Sequence, residues 1–336
     1  MKLKILLVAM VLLSTLSSAS GYTREEVMKR GVLHCGVSPG TQGFSTVDVD
    51  GNWRGMDIDI CRAVAAATLG DAAKVEYMPL AADEAFTALL SGSVDILSRH
   101  SIWTYTSDSA LAVHFAGIFY YDGQGFLVAE SLDVKKAAEI RKVKVCSPVG
   151  LAANNNLADY FRENKVDYKL VPYESLDLAI KGFQSSGCEL LSLPKSQLYG
   201  IYHELNEPKN SILLPEVITK DPFGPVVRQG DDVWFNIVRW VMFALVDAEE
   251  LGIRSDNIAE MKISNRLDVK RFFGLEGSGG TGLGLADDWA AQVVGQVGNY
   301  GELFDRNLGG GSVLQIERGM NKLWRDGGLM YSPPIR

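Results

Sequence analysis

The order of its apolar and amphipathic runs is what most restricts how this chain can fold. "GVLHCGVS" (31–38) is an apolar run of strand length that ends in the Gly/Ser/Pro loop "SPGTQGFS". After the "DVDGNW" turn comes "GMDIDICRAVAAATLG" (55–70), which has helix length; Asp57 or Asp59 is placed to cap it and Gly70 to end it. "KVEYMPL" (74–80) is a second strand, and "ADEAFTALLSGSVDILS" reads as a helix, a glycine turn and a third strand. Strands that alternate with helices pair in parallel and carry the helices on the sheet faces, which makes the fold class α/β.

The alternation then breaks and restarts. "GQGFLVAE" (123–130) is a strand leading into "SLDVKKAAEIRKVKVCSPVG" (131–150), a helix followed by a strand that opens a new sheet. "NNNLADYFRENK" is helical, "DYKLVPY" a strand, and "SLDLAIKGFQSSGCELLSL" a helix and a strand; this unit closes around "SILLPEVI" (211–218). Beyond it lie a long helix from Asp231 to about Leu251, the Gly-rich "GLEGSGGTGLGL" (274–285), and helical segments over 287–308 and roughly 312–326. One α/β lobe (31–126 and 216–336, with a helical C-terminal extension) is therefore interrupted by another (130–212). Two extended crossings, near 124–130 and 213–219, make a hinge. A length of 336 residues, too great for one simple core, fits two lobes. Ligands of open α/β sheets sit at the carboxyl ends of strands, here in the cleft between the lobes.

Composition narrows the partners. The formal net charge of -8 disfavours nucleic acid and anionic membrane, both of which reward a basic surface. "MKLKILLVAMVLLSTLSSAS" runs from Lys2 and Lys4 through an apolar stretch to the small residues Ser17–Ser20, the order of a secretory signal over residues 1–20, cleaved near Ala19 or Ser20. "WFNIVRWVMFALV" (234–246) is very apolar, but Arg239 lies inside it, so a buried helix is the plainer reading. Export permits disulfides among Cys35, Cys61, Cys146 and Cys188. Of three connectivities, Cys35–Cys61 with Cys146–Cys188 is favoured because each pair then lies within one lobe. With no CxxC and four scattered histidines, neither metal nor another cofactor is expected.

With "GVLHCGVSPG", "GNWRGMDIDICRAVAAA", "FTALLSGSVDILSR", "YYDGQGFLV", "VRQGDDVWFNIVRW" and "VGNYGELFDRNLG", the chain resembles the periplasmic receptors of polar, or general, L-amino-acid ABC transporters. The likeness runs from about Gly31 to the "PPIR" end. It implies a two-lobed type II periplasmic-binding fold, periplasmic localisation, a small-molecule ligand (an amino acid or a relative of one), and delivery to a membrane permease by lobe closure.

An α-amino acid is a zwitterion. Taking it out of water needs a fixed cation for the carboxylate, a carboxylate for the ammonium, and further donors to finish the shell. The resemblance implies an Arg closing a Thr-x-x-Arg run, an Asp after the last strand of lobe two, and a Gly-Thr-Thr turn opening that lobe's first helix. Here "TYTSD" keeps Thr104 but has Ser107 in place of the Arg. "VGLAANNN" keeps Gly150 but has Leu151 and Ala152 in place of the hydroxyls. In "CELLSLPKS" the Asp position falls on Pro194, and Ile102 stands where a polar residue is usual. Loss of one partner of a buried charge pair costs about 3–5 kcal/mol. The expectation is a receptor that does not bind free α-amino acids in the family's way.

Each candidate ligand contact has a plainer alternative. Arg99 leaves the same strand end and can take over a carboxylate, or form a salt bridge. Lys195 offers a cation from lobe two, or is a solvated loop lysine. Phe44 packs on ligand or in the core. His100, Ser101, Thr104 and Ser107 line the strand exit "SRHSIWTYTSD" together with Trp103; a lone His is more often a satisfied loop residue, and Trp103 more often packing than platform. Asp57 and Asp59 are explained by capping. No catalytic arrangement is legible, so an enzyme is not expected. The alternative to a transport receptor is a sensor or scaffold on the same fold with a vestigial cleft.

Overall fold

A computed structural model of the chain describes residues 22–149, 153–205, 207–277 and 279–336. The expected signal, and the expected ligand contacts Gly150 and Leu151, lie outside the described residues.

Lobe one opens with β1 (Leu33–Val37), the short hairpin β2 (Thr46–Val47) and β3 (Trp53–Arg54), then β4 (Val75–Pro79), β5 (Ile96–Leu97) and β6 (Val113–Phe115). β7 (Tyr120–Asp122) leads across to lobe two, built on β8 (Gln124–Ala129), β9 (Lys142–Pro148), β10 (Asp167–Tyr173), β11 (Leu190–Pro194) and β12 (Ser211–Leu213). β13 (Asp221–Phe223) and β14 (Val226–Arg228) return to lobe one. The first sheet has the order β4-β1-β5-β14-β6, the second β10-β9-β11-β8-β12. β1, β4 and β5 run parallel, as do β9, β10 and β11, while β14 and β8 run antiparallel to their neighbours. β7 and β13 pair antiparallel, Asp122 opposite Asp221, and form the two-stranded hinge. Because Pro194 pairs with Gln124, the second sheet takes in all of β8, and the first crossing lies at Gly123 rather than within 124–130.

The helix Asp232–Leu251 packs Trp234, Ile237, Val241 and Leu245 into lobe one, against Ile60 and Val64 of the helix Met56–Leu69 and Val293 of the helix Trp289–Val297. Arg239 lies over the Phe235 ring at 4.6 Å, so its charge does not prevent burial of the opposite face. Among the described residues no helix is long and apolar enough to cross a membrane, and no group of three metal-ligating side chains occurs. The cysteines form Cys35–Cys61 and Cys146–Cys188, one disulfide in each lobe.

Four expectations are corrected. Neither Asp57 nor Asp59 caps the helix Met56–Leu69; the cap position is Gly55, with φ of 129°. A Cβ there would lie 2.1 Å from the Phe44 carbonyl oxygen, which only glycine avoids. Residues 131–141 form two short 3₁₀ turns instead of an α-helix. Val134, Ala137 and Ile140 of this segment pack into the lobe-two core. The 287–308 segment is split into Trp289–Val297 and Tyr300–Asn307 by Gly298, after which Asn299 and Glu302 form a capping box. The 312–326 stretch is extended, with 3₁₀ turns at Gly319–Asn321 and Trp324–Asp326.

Candidate ligand cleft

The carboxyl ends of β1 and β5 carry Ser38 and the run Ser98–Ser101. β5 is only two residues long, because the next residues turn into the site and bond to the hinge. Ser101's carbonyl accepts from Gly224 N–H (3.2 Å), and Trp103 N–H donates to the Pro222 carbonyl (2.9 Å). His100 has a left-handed φ of 44°. Asp57, fully buried, holds it there: its carboxylate accepts from the His100 main-chain N–H (2.9 Å), lies 3.1 Å from His100 Nδ1, and accepts from Ser98 Oγ (3.3 Å). The His100 ring sits 5.4 Å from Phe44 and 5.7 Å from Phe223. His100 is thus a satisfied structural residue. Phe44, 1% exposed and packed also against Tyr120, belongs to the core.

Arg99 and Ser101 flank this clamp and are different. Arg99 is half-buried and its Nε is shut off from solvent without a hydrogen-bond partner among the described residues. Burial lowers its pKa, with only the more distant Asp57 charge opposing. Ser101 is 7% exposed and its Oγ is likewise unpartnered. A buried donor without a partner costs about 1–3 kcal/mol.

The position assigned to a cation by resemblance does other work. Ser107 N–H donates to Thr104 Oγ1 (3.1 Å), and Thr104 N–H donates to Ser107 Oγ (3.0 Å). The pair is a reciprocal capping box for the helix Tyr105–Ala110, an element the sequence did not announce. Ile102 beside them is exposed, and Trp103 stacks on Phe115 at 5.5 Å, a packing role.

Among the described residues, lobe two carries a buried network of neutral polar groups near the carboxyl ends of its strands. Pro194 ends β11 and precedes the helix Lys195–Glu204. Gln124 is 2% exposed; its Nε2 donates to Ser192 Oγ and to the Ala153 carbonyl (both 2.9 Å), and Asn156 Nδ2 donates to its Oε1 (3.2 Å). Ser147 Oγ bonds Asn154 Oδ1 (2.8 Å). This amide and hydroxyl network was missed in the sequence; polar residues inside the apolar runs of β8, β9 and β11 were its signal. Lys195 does not point at Arg99's neighbourhood: its Nζ donates to the Pro215 carbonyl (2.5 Å), and it lines a cavity with Asp122 and Tyr199 beside the hinge. Asp122 is spent on the start of the same helix, accepting from Ser196 Oγ (2.5 Å) and N–H (3.3 Å), and burial pushes its pKa up to about 6.

Comparison with known proteins agrees with this two-lobed architecture. Residues 33–256 match the model of the bacterial extracellular solute-binding proteins, family 3. The chain is 47% identical to the general L-amino acid-binding periplasmic protein AapJ of Rhizobium johnstonii over 98% of its length and 97% of that protein. It is 46% identical to the putative amino-acid ABC transporter-binding protein YhdW of Escherichia coli K12, over 100% of this chain and 99% of that one. A solved periplasmic binding protein of an ABC transporter from Brucella ovis, with glutathione bound, superposes with a TM-score of 0.84 at 45% identity, covering 94% of this chain and 99% of that one. Fold, hinge and relatives lead to one assignment: the chain belongs to the bacterial extracellular solute-binding proteins, family 3.

Proposed function

We propose that this protein is an exported receptor for an ABC importer whose ligand is not a free α-amino acid but a small carboxylate whose neighbouring nitrogen is acylated or absent. One contrast carries this reading. Arg99 is a half-buried cation at the strand end whose Nε has no hydrogen-bond partner among the described residues, while Ser107 and Pro194, neither of them charged, stand at the positions where the resemblance implies a cation and an anion for a zwitterion. Arg99 and Ser101 supply donors for a carboxylate. The Gln124–Ser192–Asn156 network is neutral and hydrogen-bonded within itself, and it offers no carboxylate to an ammonium. N-acyl amino acids and the C-terminal ends of short peptides have this chemistry. Glutathione, the molecule bound in the Brucella ovis relative, ends in such a carboxylate and is the first probe.

The test is mass spectrometry of whatever co-purifies with the exported protein, followed by a thermal-shift screen of the twenty common amino acids, their N-acetyl forms and glutathione. Ligand at a hundred times its Kd adds about 2.7 kcal/mol of stability. Stabilisation confined to N-acylated carboxylates or peptides is expected; clear stabilisation by any free α-amino acid sinks the reading. A second reading, a non-transport sensor or scaffold, is favoured by the C-terminal segment that spans both lobes. It predicts no stabilisation by any small molecule.

A further inference from the structure

The chain continues well beyond residue 256, where the family match ends, and this extension touches both lobes and the hinge. Tyr300 Oη donates to the Phe119 carbonyl (2.9 Å), just ahead of β7. Asn321, 4% exposed, brackets the hinge strand: Tyr121 N–H donates to Asn321 Oδ1 (2.7 Å), and Asn321 Nδ2 donates to the Tyr121 carbonyl (3.2 Å). Arg318 pairs with Glu249 in a two-pronged contact (2.8 and 3.1 Å) and lies 5.1 Å from the ring centres of both Tyr300 and Phe304. These contacts fasten the extension to lobe one and to β7.

Between the helix Tyr300–Asn307 and Arg318, the chain reaches lobe two. A Cβ placed at Gly43 would lie 2.6 Å from Leu314 Cδ1, so Leu314 fills the space over lobe one's first loop. The Leu314 carbonyl faces His203 Nε2 at 3.0 Å, on the lobe-two helix Lys195–Glu204. A carbonyl only accepts, so Nε2 carries the hydrogen. One turn earlier on that helix, a Cβ at Gly200 would lie 2.7 Å from Gln42 Oε1 and 3.8 Å from Leu314 Cδ2. The lobes meet at Gln42 and Gly200, and residues 308–316 cross at that point. A cavity of about 450 Å³ between β7, Lys195, Tyr199 and residues 316–321 lies beside it.

We propose that residues 308–316 are a latch that holds the two lobes together in the arrangement seen here, with the His203–Leu314 hydrogen bond as its releasable contact. The latch is anchored to lobe one and β7, so rotation of lobe two about the hinge carries His203 away from Leu314. A hydrogen bond is lost within a fraction of an ångström of misfit, whereas the Arg318 and Asn321 anchors stay intact. One such bond shifts the closed-to-open ratio by about two- to tenfold. Ligand affinity follows the closed fraction, whatever the ligand's chemistry.

The test uses the purified exported protein without ligand, so its outcome does not depend on the ligand assignment. His203→Ala is expected to enlarge the radius of gyration in solution X-ray scattering and to speed hydrogen–deuterium exchange in 195–204 and 308–316. His203→Gln, which keeps an N–H donor, is expected to recover wild-type behaviour. Gly200→Leu raises helix propensity, so it does not melt the helix, but it crowds Gln42 and Leu314 across the lobes and is expected to open them as His203→Ala does. Unchanged scattering and exchange in both His203→Ala and Gly200→Leu overturns the proposal, as does His203→Gln behaving like His203→Ala.

Discussion

Replacing Arg99 by methionine separates a ligand-binding role from a structural one, because the two predict opposite signs. Methionine keeps an unbranched apolar stem and removes the guanidinium. In the unliganded protein that guanidinium is half-buried and its Nε is unpartnered. Relief of one buried unmet donor returns about 1–3 kcal/mol, offset by about 0.8 kcal/mol for each methylene's worth of packing lost. The unliganded variant is therefore expected to be as stable as the wild type, or more stable by up to about 2 kcal/mol. Ligand binding moves the other way. A carboxylate held by a forked guanidinium gains two charge-assisted hydrogen bonds, so its loss costs about 3–5 kcal/mol, or roughly 10²- to 10³-fold in Kd. The assay is urea denaturation of protein stripped of ligand by unfolding and refolding, paired with calorimetric titration of glutathione or of the carboxylate found by mass spectrometry. A variant that loses more than about 2 kcal/mol of unliganded stability while binding within threefold of wild type refutes the reasoning, because Arg99 would then be a structural ion-pair partner.

Other perturbations follow from particular contacts. Asp122 has its pKa raised by burial from 3.8 to about 6, so the folded chain binds more protons there than the unfolded one between those values. That contribution is fully present below pH 3.8 and is lost as pH rises through about 6. Asp122→Asn, which still accepts from Ser196, should gain up to about 3 kcal/mol over wild type at pH 8 and nothing at pH 4, read by denaturation at both. Ser107→Ala removes one half of the Thr104 capping box and should lower stability by about 0.5–1 kcal/mol in a thermal melt without loss of ligand. Asn321→Ala strands the Tyr121 N–H and carbonyl in a buried hinge; a loss of about 2–4 kcal/mol in urea titration is expected. Joint Cys146→Ser and Cys188→Ser replacement opens a loop closed over a separation of 42 residues and should cost about 4 kcal/mol in the same measurement.

Much of the architecture was legible because it rests on local periodicity. The runs that became β1, β4, β9, β10 and β11 are short and apolar, bounded by glycine, proline or polar turns, and the helices between them carry matching apolar faces. The disulfides followed from placing two cysteines in each lobe. Periodicity failed where a segment's conformation is set by what lies across from it. Residues 131–141 contain helix formers, but Asp133 takes a left-handed conformation and the segment instead packs Val134, Ala137 and Ile140 against the lobe-two core. The hinge strands β7 and β13 are three residues each, too short to carry a pattern, and exist because each pairs the other.

The site divides along the same boundary. The residues alone read "SRHSIWTYTSDSA" as a strand running out into a polar segment, and the resemblance put the uncharged Ser107 and Pro194 at ligand positions; that these two side chains carry no charge is covalent and needs no fold. Which polar groups remain available to a ligand was decided by tertiary structure. Asp57 came from a distant helix to satisfy His100, Ser107 was consumed by Thr104, Lys195 turned to Pro215, and Asp122 accepts from Ser196. Arg99 Nε and Ser101 Oγ have no hydrogen-bond partner among the described residues. A side chain's chemistry is fixed by its covalent structure, but its free valence depends on every donor and acceptor that folding brings within about 3 Å, and those come from anywhere in the chain.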